Sequence, residues 1–338
     1  MWSCLCRGED GCSWPEEVGG AWSSAPGEAA AGETDEKAHG QGHTDGREGT
    51  GRHVVAHFFA KIDELLALGG ELAGFNGGFN PQLSIDHYCN LVRAIRARYG
   101  DRIELYAFTI AEFLYLADHA SLSYAAAAQR HRQAGVRWIT GGGSEILTED
   151  FRRRHSKFKY TVEQFFQAQA AIVAAGLRTT ATMVIGFDET IDERIEHLDR
   201  TRRFQDEVGG QESFLCWTFK PWSTPLGAAL HNIEITTAEY LRHLALSRIY
   251  LDNIPRIRTS VLTQNERALE GLLYGADDFD IPIEDEVTQK AGATIDLNFD
   301  RILDVARALG FTPTYRHVAP AHPQPSTPSS PQTPAHSS

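Results

Sequence analysis

Three apolar runs in this chain each stop on glycine and a polar residue, and that repetition narrows the folds open to it. The fullest case is Trp138-Ile-Thr-Gly-Gly-Gly-Ser-Glu-Ile-Leu147, a strand-like run followed by three glycines, a hydroxyl and a carboxylate. Phe75-Asn-Gly-Gly78 and Met183-Val-Ile-Gly-Phe-Asp-Glu189 repeat the event after two other runs. Without a Cβ the backbone is open, so a ligand can lie against bare peptide at Gly142 with Glu145 beside it. A loop that merely turns is the plainer alternative for any one glycine run.

Between these runs, helical and strand patterns alternate. Residues 55–68 carry apolar side chains at helical spacing (Phe58, Ile62, Leu65, Leu66) and stop at Gly69-Gly70. Helices are expected over 85–99, 110–117, 124–134, 162–175, 192–208 and 237–251, the first capped by Ser84 with Asp86 and closed by Gly100. Strands are expected over 71–76, 103–108, 136–140, 178–185, 214–219 and 257–262. Helix then strand, repeated, implies parallel strands joined by right-handed crossovers. The glycine-rich punctuation falls just after several strands, where a barrel has its catalytic rim. A full or partial (β/α) TIM-type barrel therefore fits better than an open doubly wound sheet, which needs only one such crevice.

The ends differ from this body. Residues 1–52 are rich in Gly, Glu, Ala and Ser without apolar period, and read as a disordered leader. The tail, 318–338, is a Pro/Ser/Thr-rich low-complexity segment, which leaves 53–317 as the ordered domain. The formal charge of −13 excludes a general nucleic-acid binder, which needs a basic face. No apolar run approaches the roughly 20 residues that cross a bilayer. The first residues hold no secretory signal, and Cys4, Cys6, Cys12, Cys89 and Cys216 form no disulfide framework, so a cytoplasmic compartment is expected.

Several rim residues have chemistry worth weighing. Gly77 and Gly78 let a ligand's charged end reach backbone groups, unless they only turn the chain before Pro81. Glu112 follows the strand ending at Phe108 and reads either as a ligand contact or as a first-turn carboxylate facing a helix dipole. Gly186 and Glu189 can flank a flat heterocycle or cap the helix that follows. Glu193, Arg194, Glu196 and His197 read mostly as a solvated helix face, with Arg194 and His197 sharing a side. Trp217 and Phe219 end a strand, where an inward aromatic can stack on a ring or simply pack the core.

These residues carry a resemblance. Gly77-Gly-Phe-Asn-Pro81, Gly141-Gly-Gly-Ser-Glu-Ile-Leu147, Arg178-Thr-Thr-Ala-Thr-Met183, Glu189-Thr190 with Glu193-Arg194 and Glu196-His197, Gln205-Asp-Glu207, Trp217-Thr-Phe219, Asp252-Asn-Ile-Pro255 and Gly275-Ala-Asp-Asp278 occur in one order over 53–316. In that order they resemble the radical S-adenosylmethionine enzymes of the futalosine route to menaquinone. Trp217-Thr-Phe219 favours the group that cyclises dehypoxanthinyl futalosine over the aminofutalosine and deazaflavin-precursor synthases. The resemblance implies a 4Fe–4S cluster, fed by an electron donor, that cleaves S-adenosylmethionine to a 5′-deoxyadenosyl radical. That radical removes a ribose-type hydrogen from the nucleoside-like substrate, the carbon radical closes onto the aromatic ring, and oxidation gives the spiro-cyclic product. Carried over by position, Gly77 and Gly78 meet the methionine end of the cofactor, Glu112 its ribose, and Gly186 and Glu189 its adenine. Gly142, Glu145, Arg194 and Trp217 are expected to contact substrate.

The sequence also departs from the family. Three cysteines, spaced with three then two residues between them, hold the family's cluster between the first strand and first helix. No such set precedes residue 55. Cys4, Cys6 and Cys12 have one and then five residues between them and lie about forty residues upstream of the body, in a stretch with little to anchor a ligand loop, so they are not expected to hold the cluster. Cys89 and Cys216 read as small buried hydrophobes. Asn76 stands where the family has glutamine, and Phe187 where it has histidine. Three activities remain open: the cyclising synthase, an aminofutalosine-type or deazaflavin-type synthase, and a non-catalytic barrel that binds a nucleoside-like ligand.

Overall fold

A computed structural model describes residues 2–3, 46–155, 160–231, 233–282, 284–285, 294 and 298–314. Seven strands form one parallel sheet: β1 (Leu72–Phe75), β2 (Glu104–Thr109), β3 (Trp138–Thr140), β4 (Arg178–Ile185), β5 (Gln211–Thr218), β6 (Ile257–Ser260) and β7 (Asp278–Asp280). They pair in chain order, each with the next, so every crossover joins neighbours and the sheet curls as a half-barrel with helices outside. A separate parallel pair joins Trp2–Ser3 to Glu284–Asp285.

The outer layer is α1 (Gly46–Ala67), α2 (Ile85–Tyr99), α3 (Ile110–His119), α4 (Tyr124–Gln133), α5 (Glu149–His155), α6 (Val162–Ala174), α7 (Ile191–Glu207), α8 (Pro225–Ala229) and α9 (Thr237–Tyr250), with α10 (Val261–Gln264) and α11 (Phe299–Ala308) following β6 and β7. Caps explain many of the starts. Thr109, Thr161 and Thr190 each accept from the main chain three residues on, and Glu112, Gln164 and Glu193 return the bond to the cap's own N–H. Among the described residues two large cores lie between sheet and helices, one under α1 to α4, α6 and β1 to β3, the other under α5, α7, α9 and β4 to β6, and a smaller third joins α10 to α11. Helix α1 contributes Phe58, Ile62 and Leu65, the helical spacing read from sequence.

The boundary expected at 52 falls inside α1, which starts at Gly46. Gly49 and Gly51 argue for a later start, at about 1 kcal/mol each in a helix interior. Once the buried turns at Phe58 to Leu65 have paid for nucleation, propagation backwards adds one hydrogen bond per residue fixed. The remainder of the leader, and the tail from 315, lie outside the described residues apart from Trp2–Ser3.

Strand alternation sorts the β residues into two sets. Ile139, Ala181, Met183, Ile185, Phe214 and Cys216 belong to the helix-side cores. Their neighbours Trp138, Thr140, Thr180, Thr182, Val184, Ser213, Leu215 and Trp217 therefore face the lumen. Buried there, Arg258 pairs with Asp280 and lies 3.7 Å from Asp278, which explains why two aspartates sit in β7.

Candidate functional site

The loops that leave the C-terminal ends of β1 to β5 are wired to one another. The N–H of Gly78 donates to Glu112 Oε1 at 2.5 Å, while Glu112 Oε2 accepts from the Thr109 N–H at 2.7 Å and its hydroxyl at 2.9 Å. Glu112 is thus the N3 residue of a capping box on α3, and it ties the loop after β1 to the loop after β2. Burial pushes its carboxyl above the usual range, against the N–H donors that favour the anion.

The next tie runs from β2 to β4 through Gly141–Gly143. Ala111 N–H donates to Gly142 O at 3.3 Å. Gly141 donates to Thr180 Oγ1 at 3.0 Å and accepts from Thr182 Oγ1 at 2.7 Å, and Ser144 Oγ donates to Thr182 O at 2.6 Å. Glu145 lies beyond, with its carbonyl accepting from Val184 N–H at 3.1 Å. Leu147 N–H then donates to His197 Nδ1 at 2.9 Å, which leaves the imidazole proton on Nε2. Replacing Thr182 with valine keeps its volume and removes the hydroxyl shared by Gly141 and Ser144. Its expected cost is about 1–3 kcal/mol, or a melting point lower by about 2–8 °C, read by calorimetry.

After β4 the chain turns at Gly186, φ +101. The N–H groups of Gly186 and Phe187 each donate to Glu189 at 2.8 Å, and Arg194 Nε donates to the same carboxylate at 2.8 Å. Arg194 also reaches Glu239 of α9 at 2.9 Å. Phe187 stacks on Phe219, just past β5, with ring centroids 4.3 Å apart.

The glycines are therefore needed for a reason the sequence did not reveal. Where a Cβ would stand on Gly77, the ring of Tyr88 lies at 2.4 Å; on Gly141, Thr180 O lies at 2.4 Å; on Gly142, Thr109 Cγ2 lies at 2.5 Å; on Gly143, Ala111 Cβ lies at 2.3 Å. At Gly186 the nearest atom is Ile235 Cγ2, at 3.1 Å. Each missing side chain makes room for a protein group, so these residues serve loop-to-loop packing rather than leaving bare peptide on that side.

Of the expected site residues, Gly77, Gly78, Glu112, Gly142, Glu145, Gly186 and Glu189 all lie on this one rim. Glu112 and Glu189 spend their oxygens on main-chain N–H groups. Arg194, Glu193 and His197 are buried, contrary to the solvated face read from sequence, because α5 and α9 cover this side of α7: Arg154 pairs with Glu193 and Glu239 with Arg194, while His197 reaches the loop after β3. Arg194 is held by Glu189 and Glu239 and is not brought together with Trp217. Trp217 pairs in register with Val184, faces the lumen and is partly exposed, as are Thr140 and Val184. Below them Tyr106, Trp138, Ser213 and Leu215 are buried, so the lumen opens toward the rim. The sequence does not mark Tyr88, His197 or Arg152 as loop anchors, because their partners are main-chain groups of the loops, from 8 to 50 residues away.

The comparisons with known proteins bear on this arrangement. A family model described as the CofH/MqnC C-terminal region matches residues 209–324. Cyclic dehypoxanthine futalosine synthase of Halalkalibacterium halodurans is 38% identical over 258 residues, 76% of this chain and 69% of that protein. Aminodeoxyfutalosine synthase of Thermus thermophilus is 34% identical over 251 residues, 73% of this chain and 67% of that protein. Among solved structures, methylornithine synthase (PylB) shares the fold with a TM-score of 0.53 at 14% identity, over 73% of this chain and 69% of its own.

Proposed function

Because this chain belongs to the family of the radical S-adenosylmethionine synthases of the futalosine route to menaquinone, we propose that it cyclises dehypoxanthine futalosine. What carries this reading is the 258-residue alignment with a cyclising synthase, at 38% identity. S-Adenosylmethionine lies across that rim, from Gly77, Gly78 and Glu112 to Gly186 and Glu189. The nucleoside enters the lumen against Trp217, with Gly142 and Glu145 beside it. Arg194 acts behind the rim, fixing Glu189. A one-electron donor completes the set of partners.

The iron–sulfur cluster that the family implies does not fit the described residues. Among them no three His, Cys, Asp or Glu side chains are grouped to hold a metal. A cluster needs thiolates, whereas Cys89 and Cys216 are fully buried on the helix side of the sheet and burial raises both thiols. Cys4, Cys6 and Cys12 lie outside the described residues. Among the described residues no helix is long and apolar enough to cross a membrane.

The test uses the full chain, reconstituted anaerobically with iron and sulfide and given S-adenosylmethionine and a reductant. Dehypoxanthine futalosine and the substrates of the aminodeoxyfutalosine and deazaflavin-precursor synthases are supplied separately. Conversion of dehypoxanthine futalosine alone is the expected result. Turnover of either other substrate instead would reject the assignment. Tight nucleoside binding with no iron retained would reduce the chain to a ligand-binding barrel.

A further inference from the structure

At the rim end of β2 and in the loop after β3, Phe108 and Glu145 have left-handed backbones although neither is glycine, at φ +68 and φ +40. They bracket one loop: Thr109 packs on Gly142 from the side of β2, and Glu145 closes the loop over β4. Side chains with a Cβ hold this conformation only where their surroundings over-determine it, and such residues gather at sites where ligands bind.

What over-determines Glu145 is Arg152 of α5. Its side chain is buried, with Nε donating to Tyr160 O at 2.8 Å and a terminal nitrogen reaching Ser144 O at 3.3 Å and Gly143 O at 3.4 Å; the other terminal nitrogen also bonds Tyr160 O. The largest opposite charge acting on it is Glu145. Burial therefore weighs against its charge, and main-chain oxygens do most of the work of solvating it. A buried cation is a costly way to close a loop that an apolar residue could pack. The cost is intelligible if the shape of Gly143–Glu145 matters to what binds there.

We propose that Arg152 is a positioning residue for the nucleoside, acting through Glu145: its guanidinium fixes the carbonyls of Gly143 and Ser144, and so sets where the strained Glu145 places its carboxylate. A carboxylate so placed suits the hydroxyl groups of a sugar, which donate hydrogen bonds to it. This assignment rests on the function proposed above.

Calorimetric titration of the full chain with dehypoxanthine futalosine, and separately with S-adenosylmethionine, tests it. Arg152→Gln and Glu145→Gly are each expected to weaken the nucleoside about tenfold while S-adenosylmethionine stays within about twofold. Glycine accepts φ +40 without strain, so Glu145→Gly should leave the melting temperature unchanged or higher while binding falls. Loss of binding without loss of stability is what a purely structural role does not produce. The double variant should bind no worse than Glu145→Gly alone, since one residue works through the other. Two results overturn the assignment: wild-type affinity in Glu145→Gly, or a double variant whose loss is the product of the two single losses. Wild-type protein that binds no dehypoxanthine futalosine overturns the proposed function, and this assignment with it.

Discussion

Between pH 7 and pH 5 the folded chain is expected to lose about 3 kcal/mol of stability or more, carried by three buried histidines. His131 on α4, His197 on α7 and His243 on α9 are almost wholly sealed from solvent. Burial is the first cause of each depressed pKa, which falls to about 4, about 3 and about 3 respectively. In the unfolded chain the same groups titrate near the ordinary value of about 6.5. Below that pH the unfolded state takes up protons that the native state refuses, so stability falls as pH falls through the window from about 6.5 toward the folded values. Three such groups give about 5 kcal/mol between pH 7 and 5. Glu112 works the other way, because its raised carboxyl binds a proton more readily folded than unfolded. It is one group against three, and it offsets at most about 3 kcal/mol over the same two units. Urea unfolding at the two pH values, with an unchanged slope, measures the difference. A change below about 1 kcal/mol would show that the imidazoles take up protons inside the fold.

Gly143→Ala should cost about 2–5 kcal/mol and abolish nucleoside binding. A left-handed backbone costs an alanine roughly 1–2 kcal/mol. Here φ is +90, and the new methyl would stand 2.3 Å from Ala111 Cβ, so α3 or the loop must shift. Forcing a methyl into a packed site adds typically 1–3 kcal/mol. Gly310→Ala supplies the comparison. It shares the left-handed backbone, φ +89, but nothing lies within 4 Å of the added atom, so about 1–2 kcal/mol is expected there. Equal losses at the two positions would show that conformation alone, not the close approach of α3, makes Gly143 necessary.

The barrel was legible because its strongest signals are local. The strand 178–185 has the bounds read from sequence, since Thr-Thr-Ala-Thr-Met-Val-Ile is rich in β-branched residues. Ser84 caps α2 as its sequence position suggests, accepting from His87 N–H. What was missed depends on partners far along the chain. Asp278-Phe-Asp280 has poor strand propensity and forms β7 beside the buried Arg258. Helix α5, Glu149-Asp-Phe-Arg-Arg-Arg-His155, has no apolar stripe, yet Phe151 and Arg152 are buried. Arg194 looks like any charged residue on a surface helix until Glu239, 45 positions on, reaches it. The rim glycines are plain in the sequence, but the protein groups that fill the place of their missing side chains are not. A glycine in a sequence says that a side chain is not tolerated, and only coordinates say what occupies its place.

The pairing of each strand with its immediate successor has a consequence for how the chain is made. No strand of the seven must wait for a distant one, so the sheet can grow by single additions in the direction in which the polypeptide leaves the ribosome. Each newly emerged helix can cover the strand just laid down. The stretch of uncovered apolar edge at any moment is then about one strand long, which limits the time and surface available for misassociation before synthesis is finished.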